Sequence, residues 1–173
     1  EIYDATKDSF EKVTINGTPP SSAHGGQLIR AGTRFYFAGG RGNALFFEAR
    51  SVATANPIQP IIIEVDDSKD PPVLSFGKVD MNGMEGKDGG KRTFTASVGF
   101  DDGSAVIAGG LTADNSISND ALVIDKSGKV AARVGLEQAR YGASIARIRA
   151  GGPLNNCAVL AGGIASSNGN VAP

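Results

Sequence analysis

Few residues of this sequence have types and spacings that could do chemistry. His24 is the single histidine and Cys157 the single cysteine, so they do not make a metal centre of recognisable spacing. We expect His24 to be structural and Cys157 to be a small buried thiol in the core. The glycine-rich run from Gly39 to Gly42 contains no lysine and lacks a strand-to-helix context, unlike a nucleotide-binding loop. No cofactor is therefore predicted.

Three arginines are the strongest candidates for binding. Arg41, Arg92 and Arg140 each lie near the end of a predicted strand. Because a guanidinium group donates several hydrogen bonds to an anionic or polar ligand, we predict these three as binding residues. The acidic clusters at 66–70 and 101–102 lack the alternating ligands of a calcium loop and are predicted to be solvated turns. No residue is predicted to be catalytic.

The elements that would position these arginines follow from an internal repeat. Three apolar runs end in Ala-Gly-Gly, and two adjacent glycines would cost a helix about 2 kcal/mol. A buried strand followed by a tight turn fits this pattern better. A strand-like segment and a turn precede each run, and the turn 101–103 is typical of a hairpin. The repeated doublets are Gly39-Gly40, Gly109-Gly110 and Gly162-Gly163.

A second signature recurs in the same order. A short apolar segment ends in an aspartate at Asp4, Asp66 and Asp125, and the first copy has Tyr3 before it. Each aspartate begins a polar turn that leads to a further strand-like stretch. Four short strands joined by polar turns are typical of a propeller blade. A helix could be drawn over 131–150, but its glycines and the repeat favour strands.

The order of these segments resembles the kelch repeat over nearly the whole chain. The glycine doublets match the kelch doublet, and Tyr3-Asp4 matches the position that follows it. Arg92 and Arg140 match the arginine ahead of the first strand. The family's fourth-strand tryptophan is absent, and Phe10 and Phe76 stand in comparable places. The resemblance implies an all-β protein with kelch-type propeller blades of four antiparallel strands.

The phase of the repeat predicts about three blades. The predicted divisions are a strand pair over 1–20, a blade over 21–80, a blade over 91–137 and a strand pair over 138–173. Since a propeller has about 4–8 blades, we expect further blades from a longer protein, or a homodimer that completes a six-bladed ring. An open or otherwise unusual assembly is the third alternative. The Tyr3-Asp4 strand should then pair beside strand 157–163, in the same chain or a neighbour.

Two connections have expected roles. The insertion over 41–60 carries an apolar tract at 44–47 and is predicted to be an extra strand or a loop packed over a blade. Its alternative is a recognition loop, because loops on a rigid scaffold commonly carry function. The stretch 81–90 is rich in glycine and is predicted to be a flexible connection between blades.

Composition narrows the function. A net charge of −1 gives no reason to expect nucleic acid as a partner, and no apolar run approaches the roughly 20 residues of a membrane span. We therefore predict a binding scaffold that meets a protein or glycan through its blade loops. The alternative, implied by the family, is a propeller-based enzyme of carbohydrate-active, oxidase or epimerase type whose active site needs other blades. An extracellular, periplasmic or cell-surface location is favoured.

Overall fold

The computed structural model describes residues 1–20, 25–42, 56–149, 152, 156–167 and 170–172, and the regular elements within them are all strands. The all-β fold class predicted from the sequence is confirmed, and strands replace the helix that could be drawn over 131–150. Within the described residues, no helix is long and apolar enough to span a membrane. The strands are β1 (Ile2–Asp4), β2 (Ser9–Glu11), β3 (Thr14–Asn16), β4 (Gln27–Ala31), β5 (Arg34–Ala38), β6 (Arg41–Gly42), β7 (Asn56–Pro57), β8 (Ile61–Asp66), β9 (Val73–Lys78), β10 (Ala96–Gly99), β11 (Ala105–Ala108), β12 (Asp120–Ile124), β13 (Val130–Gly135), β14 (Arg140–Tyr141), β15 (Ser144–Arg147), β16 (Ala158–Ala161), β17 (Ile164–Ser167) and β18 (Asn170–Ala172).

The second repeat forms a four-stranded antiparallel sheet in the order β10-β11-β12-β13. The turn between β10 and β11 uses Gly103 at a φ of +92°. Asp102 closes the same turn, because its carboxylate accepts hydrogen bonds from the N–H and the hydroxyl of Ser104. Consecutive strands that pair with their neighbours in sequence make a meander, which is the strand order of a propeller blade.

The first repeat forms a five-stranded sheet in the order β3-β9-β8-β5-β4. Four of its strands repeat the antiparallel meander of the second repeat. The fifth, β3, comes from the segment predicted to belong to the preceding strand pair and runs parallel to β9, with Thr14 opposite Val73. The edge of β9 is therefore covered by a strand that lies far earlier in the chain, which protects it from pairing with other chains.

The remaining strands form small sheets. β1 pairs with β2, β15 with β16, β6 with β7, and β17 with both β14 and β18. The predicted pairing of the Tyr3-Asp4 strand beside strand 157–163 is not formed among the described residues of this chain, where β1 contacts β2 and β16 contacts β15. The short strands β14, β17 and β18 were not predicted, whereas β6 and β7 lie in the insertion 41–60, where an extra strand or a packed loop was expected.

The core lies between the first two sheets. Tyr36 and Ala38 of β5 are fully buried and join one apolar cluster with Ile107, Leu122 and Val130 of the second sheet. The first strands of successive repeats also contact one another, since β10 lies against both β4 and β15. A Cβ placed on Gly99 would stand 2.1 Å from the carbonyl oxygen of Arg30. This close approach fixes the spacing between the two repeats.

Candidate functional site

The glycine doublets join each repeat to the segment that opens the next. The N–H of Phe94 donates to the carbonyl of Gly39 at 3.1 Å, and the N–H of Gly110 donates to the carbonyl of Arg140 at 2.8 Å. The N–H of Gly142 donates to the carbonyl of Phe94 at 2.9 Å. The opening segments and the doublets therefore share one surface. We call this surface the doublet face and define it by Gly39, Gly40, Arg41, Phe94, Gly109, Gly110, Arg140, Tyr141, Gly162 and Gly163.

Glycine is required in the doublets because other backbone lies against them. Gly109 has a φ of +61°, and a Cβ placed on it would meet the carbonyl oxygen of Arg140 at 2.2 Å. A Cβ on Gly163 would meet the carbonyl oxygen of Tyr141 at 2.7 Å. The sequence prediction of a tight turn or close backbone approach is confirmed at these positions.

Phe94 has a backbone conformation that bulky residues rarely adopt. The strand registers make Gly25, Phe94 and Gly142 equivalent in the three repeats. All three have a left-handed backbone, with φ of +69°, +54° and +64° respectively. A phenylalanine in this region costs about 1–3 kcal/mol. The middle repeat therefore carries a strained aromatic residue where its neighbours carry glycine.

The exposed side chain of Phe94 contacts two half-buried neighbours, one cationic and one aromatic. Its ring is 37% exposed. The guanidinium carbon of Arg41 lies 4.3 Å from the ring centroid, which is a cation–π contact. The ring of Tyr141 also contacts the ring of Phe94: their centroids are 6.4 Å apart and their planes make an angle of 44°. Residues from three repeats thus meet at Phe94.

Arg140, the residue before Tyr141, is held by the third doublet. Its Nη1 donates to the carbonyl of Gly162 at 3.0 Å. Within the described part of the chain, the buried Nε atoms of both Arg41 and Arg140 lack a hydrogen-bond partner. The structure therefore brings two of the three predicted binding arginines to the doublet face, where Arg41 lies over the ring of Phe94 and Arg140 binds the carbonyl of Gly162.

Arg92 has a different environment from the other two arginines. It is 1% exposed, and its Nε donates to Asp88 at 2.7 Å. Its Nη2 lies 2.5 Å from a carboxylate oxygen of Asp120, an ionic contact whose angle does not suit a hydrogen bond. Its Nη1 donates to the carbonyl of Asp120, which also accepts from the N–H of Gly109. Arg92 thus supports the second doublet from beneath.

Arg133 completes a group of four charges, of which Arg92 is buried and the others are half-buried. We call this group the ion quartet: Asp88, Arg92, Asp120 and Arg133. The Nε of Arg133 donates to Asp120 at 2.7 Å and its Nη2 to Asp88 at 3.2 Å. Burial raises the pKa of both carboxyls, but hydrogen bonds and the two guanidinium charges outweigh it, so that each pKa lies below its ordinary value. Both aspartates are therefore ionised at neutral pH, and the quartet has no net charge.

The repeated aspartates stabilise turns. The carboxylate of Asp4 accepts bonds from the N–H and hydroxyl of Thr6, and Asp66 and Asp125 accept the same pair from the serine two residues later. The hydroxyl and amide of Thr6 lower the pKa of Asp4 to about 2. Tyr3 packs its ring on Phe10 at 5.3 Å between centroids. The three aspartates therefore lie at the turns between β1 and β2, β8 and β9, and β12 and β13, where the sequence predicted polar turns.

Two predictions about individual segments change. The stretch 81–90 was expected to be a flexible connection, but Met81 is buried in the core and Asp88 belongs to the ion quartet. Cys157 was expected to be buried and is half-buried. His24 and the apolar tract 44–47 lie outside the described residues, as does most of the insertion 41–60.

Several residues of the site were not predicted from the sequence. Phe94 and Tyr141 carry the exposed aromatic surface, and Asp88, Asp120 and Arg133 complete the ion quartet. The equivalence of Phe94 with Gly25 and Gly142 follows only from the strand registers, because the three residues stand at different distances from their doublets in the sequence. The repeat gave a signal for Arg92, which matches Arg140, but none for the three other members of the quartet.

The described residues hold no group of three or more histidine, cysteine, aspartate or glutamate side chains that could bind a metal ion. No family model matches the chain, and no curated protein matches it. The kelch resemblance therefore stays a prediction, and the site has to be interpreted from its own geometry.

Proposed function

We propose that this chain is a segment of a kelch-like propeller that serves as a binding scaffold, and that a protein or glycan partner contacts its doublet face. The successive antiparallel meanders and the contacts between their first strands support the propeller part of the proposal. The environment of Phe94 supports the binding part.

The observation that carries the proposal is an exposed aromatic ring on a strained backbone. The left-handed conformation of Phe94 costs about 1–3 kcal/mol, and glycine occupies the equivalent positions of both neighbours. Packing of the ring against its neighbours offsets part of this strain energy, yet more than a third of the residue is exposed to solvent. Backbone strain that is retained beneath an exposed side chain is typical of ligand-binding positions.

The chemistry around the ring defines a suitable partner. Phe94 and Tyr141 offer apolar faces, Arg41 adds a cation against the ring of Phe94, and Arg140 adds a second cation at the third doublet. Aromatic residues and arginine dominate the energetic centres of protein interfaces. An aromatic face also contacts the apolar face of a sugar ring, while arginine donates to hydroxyl or carboxylate oxygens. A partner that presents an apolar surface beside acidic or hydroxyl groups fits this site.

The proposal is tested with two substitutions of one residue. Phe94→Ala and Phe94→Gly both remove the ring, and each is compared with the unmodified chain on a glycan array and in pull-downs with defined candidate proteins. We expect both variants to lose binding by about tenfold or more. Because glycine tolerates a positive φ, Phe94→Gly should be about 1 kcal/mol more stable than Phe94→Ala.

Phe10→Ala is the matched control, because Phe10 is an exposed aromatic residue on β2, in a hairpin outside the doublet face. It should leave binding unchanged. Retained binding in both Phe94 variants contradicts the assigned surface. Turnover of a small substrate by the chain, with no ligand found in either screen, contradicts the scaffold function and favours the enzyme.

The blades beyond this chain are proposed to come from further repeats of the same protein or from a second copy. The native mass of the chain distinguishes the two. A particle of twice 17.7 kDa supports a ring shared by two copies. A folded monomer of 17.7 kDa contradicts the shared ring.

A further inference from the structure

A polar cleft lies beside the ion quartet, next to the second repeat. Its volume is 780 Å³, within the roughly 300–1,000 Å³ of small-molecule sites. It is lined by the turn at 87–91, by residues of the segment 112–120, and by Arg133. Every lining residue belongs to the described part of the chain.

The floor of the cleft is electrically neutral and already hydrogen-bonded. Asp88 and Asp120 are paired with Arg92 and Arg133. Asp120 also accepts from the hydroxyl of Ser118 at 2.7 Å. These groups form a rigid wall, and they have little bonding capacity left for a ligand.

The rim of the cleft has unused bonding capacity of both kinds. Lys87 and Lys91 are exposed and form no salt bridge with another described residue. Asp114 carries the opposite charge to these lysines. One of its carboxylate oxygens accepts hydrogen bonds from the hydroxyl of Thr112 and the N–H of Ser116. Its second oxygen accepts no hydrogen bond within the described residues. Two cations and one free acceptor therefore border the same space.

We infer that this cleft binds a uronic acid unit, which carries a carboxylate beside ring hydroxyl groups. The ammonium groups of Lys87 and Lys91 pair with the carboxylate, and the free oxygen of Asp114 accepts from a hydroxyl. A simple anion would gain from the lysines and be repelled by Asp114, whereas a neutral sugar would leave both lysines unused. Only a ligand with both groups uses the whole rim.

This site is separate from the doublet face, and its occupancy does not depend on the proposed function. The source of the uronic acid is either a free monosaccharide or a unit of an acidic polysaccharide. The chemistry recognised is the same in both cases, so the test contains one arm for each.

The experiment titrates ¹⁵N-labelled protein with free galacturonate, with oligogalacturonate, with a neutral galactose oligosaccharide and with sodium sulfate at low ionic strength. We expect amide shifts at 87–91 and 112–120 for both uronates, and binding that weakens with added salt. The double variant Lys87→Gln/Lys91→Gln should weaken uronate binding about tenfold. Asp114→Asn should weaken uronate binding but strengthen sulfate binding.

Lys69→Gln/Lys126→Gln is the matched control, because it removes the same charge from exposed lysines that do not line the cleft. It should leave uronate binding within about twofold of the unmodified chain. The inference is overturned if neither uronate binds, if the neutral oligosaccharide binds equally well, or if the control loses as much affinity. Shifts confined to Arg41, Phe94 and Tyr141 would also overturn it. Tighter binding of the oligomer identifies a polysaccharide, and equal binding identifies the monosaccharide.

Discussion

Replacing Arg92 with methionine tests whether the ion quartet supports the second repeat. Methionine keeps most of the length of the apolar stem but removes the charge. The side chain of Arg92 is 1% exposed, while those of Asp88 and Asp120 are 7% and 21% exposed. Removing one member of a buried ion pair costs about 3–5 kcal/mol, because the partner charge stays buried without compensation. Because Arg133 still contacts both aspartates, we expect Arg92→Met to lower the free energy of unfolding by about 3 kcal/mol.

The assay is urea unfolding followed by circular dichroism. A matched control is Lys129→Met, which breaks a pair with Asp80 in which both side chains are more than half exposed. Exposed pairs contribute about 0–1 kcal/mol, so this variant should unfold close to the unmodified chain. Adding Asp88→Asn to Arg92→Met should recover part of the loss, because it removes the uncompensated charge. A cost for Arg92→Met no greater than for Lys129→Met would refute the role given to the quartet.

Two further predictions follow from the same region. Asp88 and Asp120 have a lower pKa when folded than when unfolded, so their contribution to stability is present above the unfolded pKa of about 3.9 and is lost as pH falls through the folded value. Unfolding midpoints measured from pH 3 to pH 7 should therefore fall less steeply with acid in Arg92→Met; identical slopes would contradict this. Among the glycines, Gly109→Ala would meet the carbonyl of Arg140, whereas a Cβ on Gly162, at a similar φ, would meet none of the described residues within 4 Å. Gly162→Ala should lower the free energy of unfolding by about 1 kcal/mol, and Gly109→Ala should lower it by at least about 2 kcal/mol more. Equal losses of stability in thermal unfolding would exclude the close approach of Gly109 to the carbonyl of Arg140.

The features that repeat along the chain were predictable from the sequence. A doublet of glycines after an apolar run, and an aspartate followed two residues later by serine or threonine, each depend on local backbone geometry. A reader of the sequence can therefore place Gly109 and Asp125 at turns without knowing the fold. The all-β class follows from the same patterns, because they set the strand boundaries inside 131–150.

The environment of single charged residues was not predictable in this way. Arg92 matches a repeat position as Arg140 does, yet one is buried in an ion quartet and the other lies at the doublet face. The difference depends on Asp88 and Arg133, which approach Arg92 only after the sheet has formed. The two-residue strand β14 was also missed, since so short a segment shows no alternation of apolar and polar side chains.

The ion quartet has a consequence for how such repeats can be copied and recombined. Its four charges all come from residues 88–133, so a transplanted second repeat keeps all four only if it includes Asp88, which precedes the predicted blade at 91–137. The first repeat is covered at β9 by β3, a strand that precedes the unit itself. A protein fragment that begins at the start of the first repeat would lack β3, and the edge of β9 would be left without a pairing strand. The two modules, although alike in strand order, are therefore unequal as building blocks.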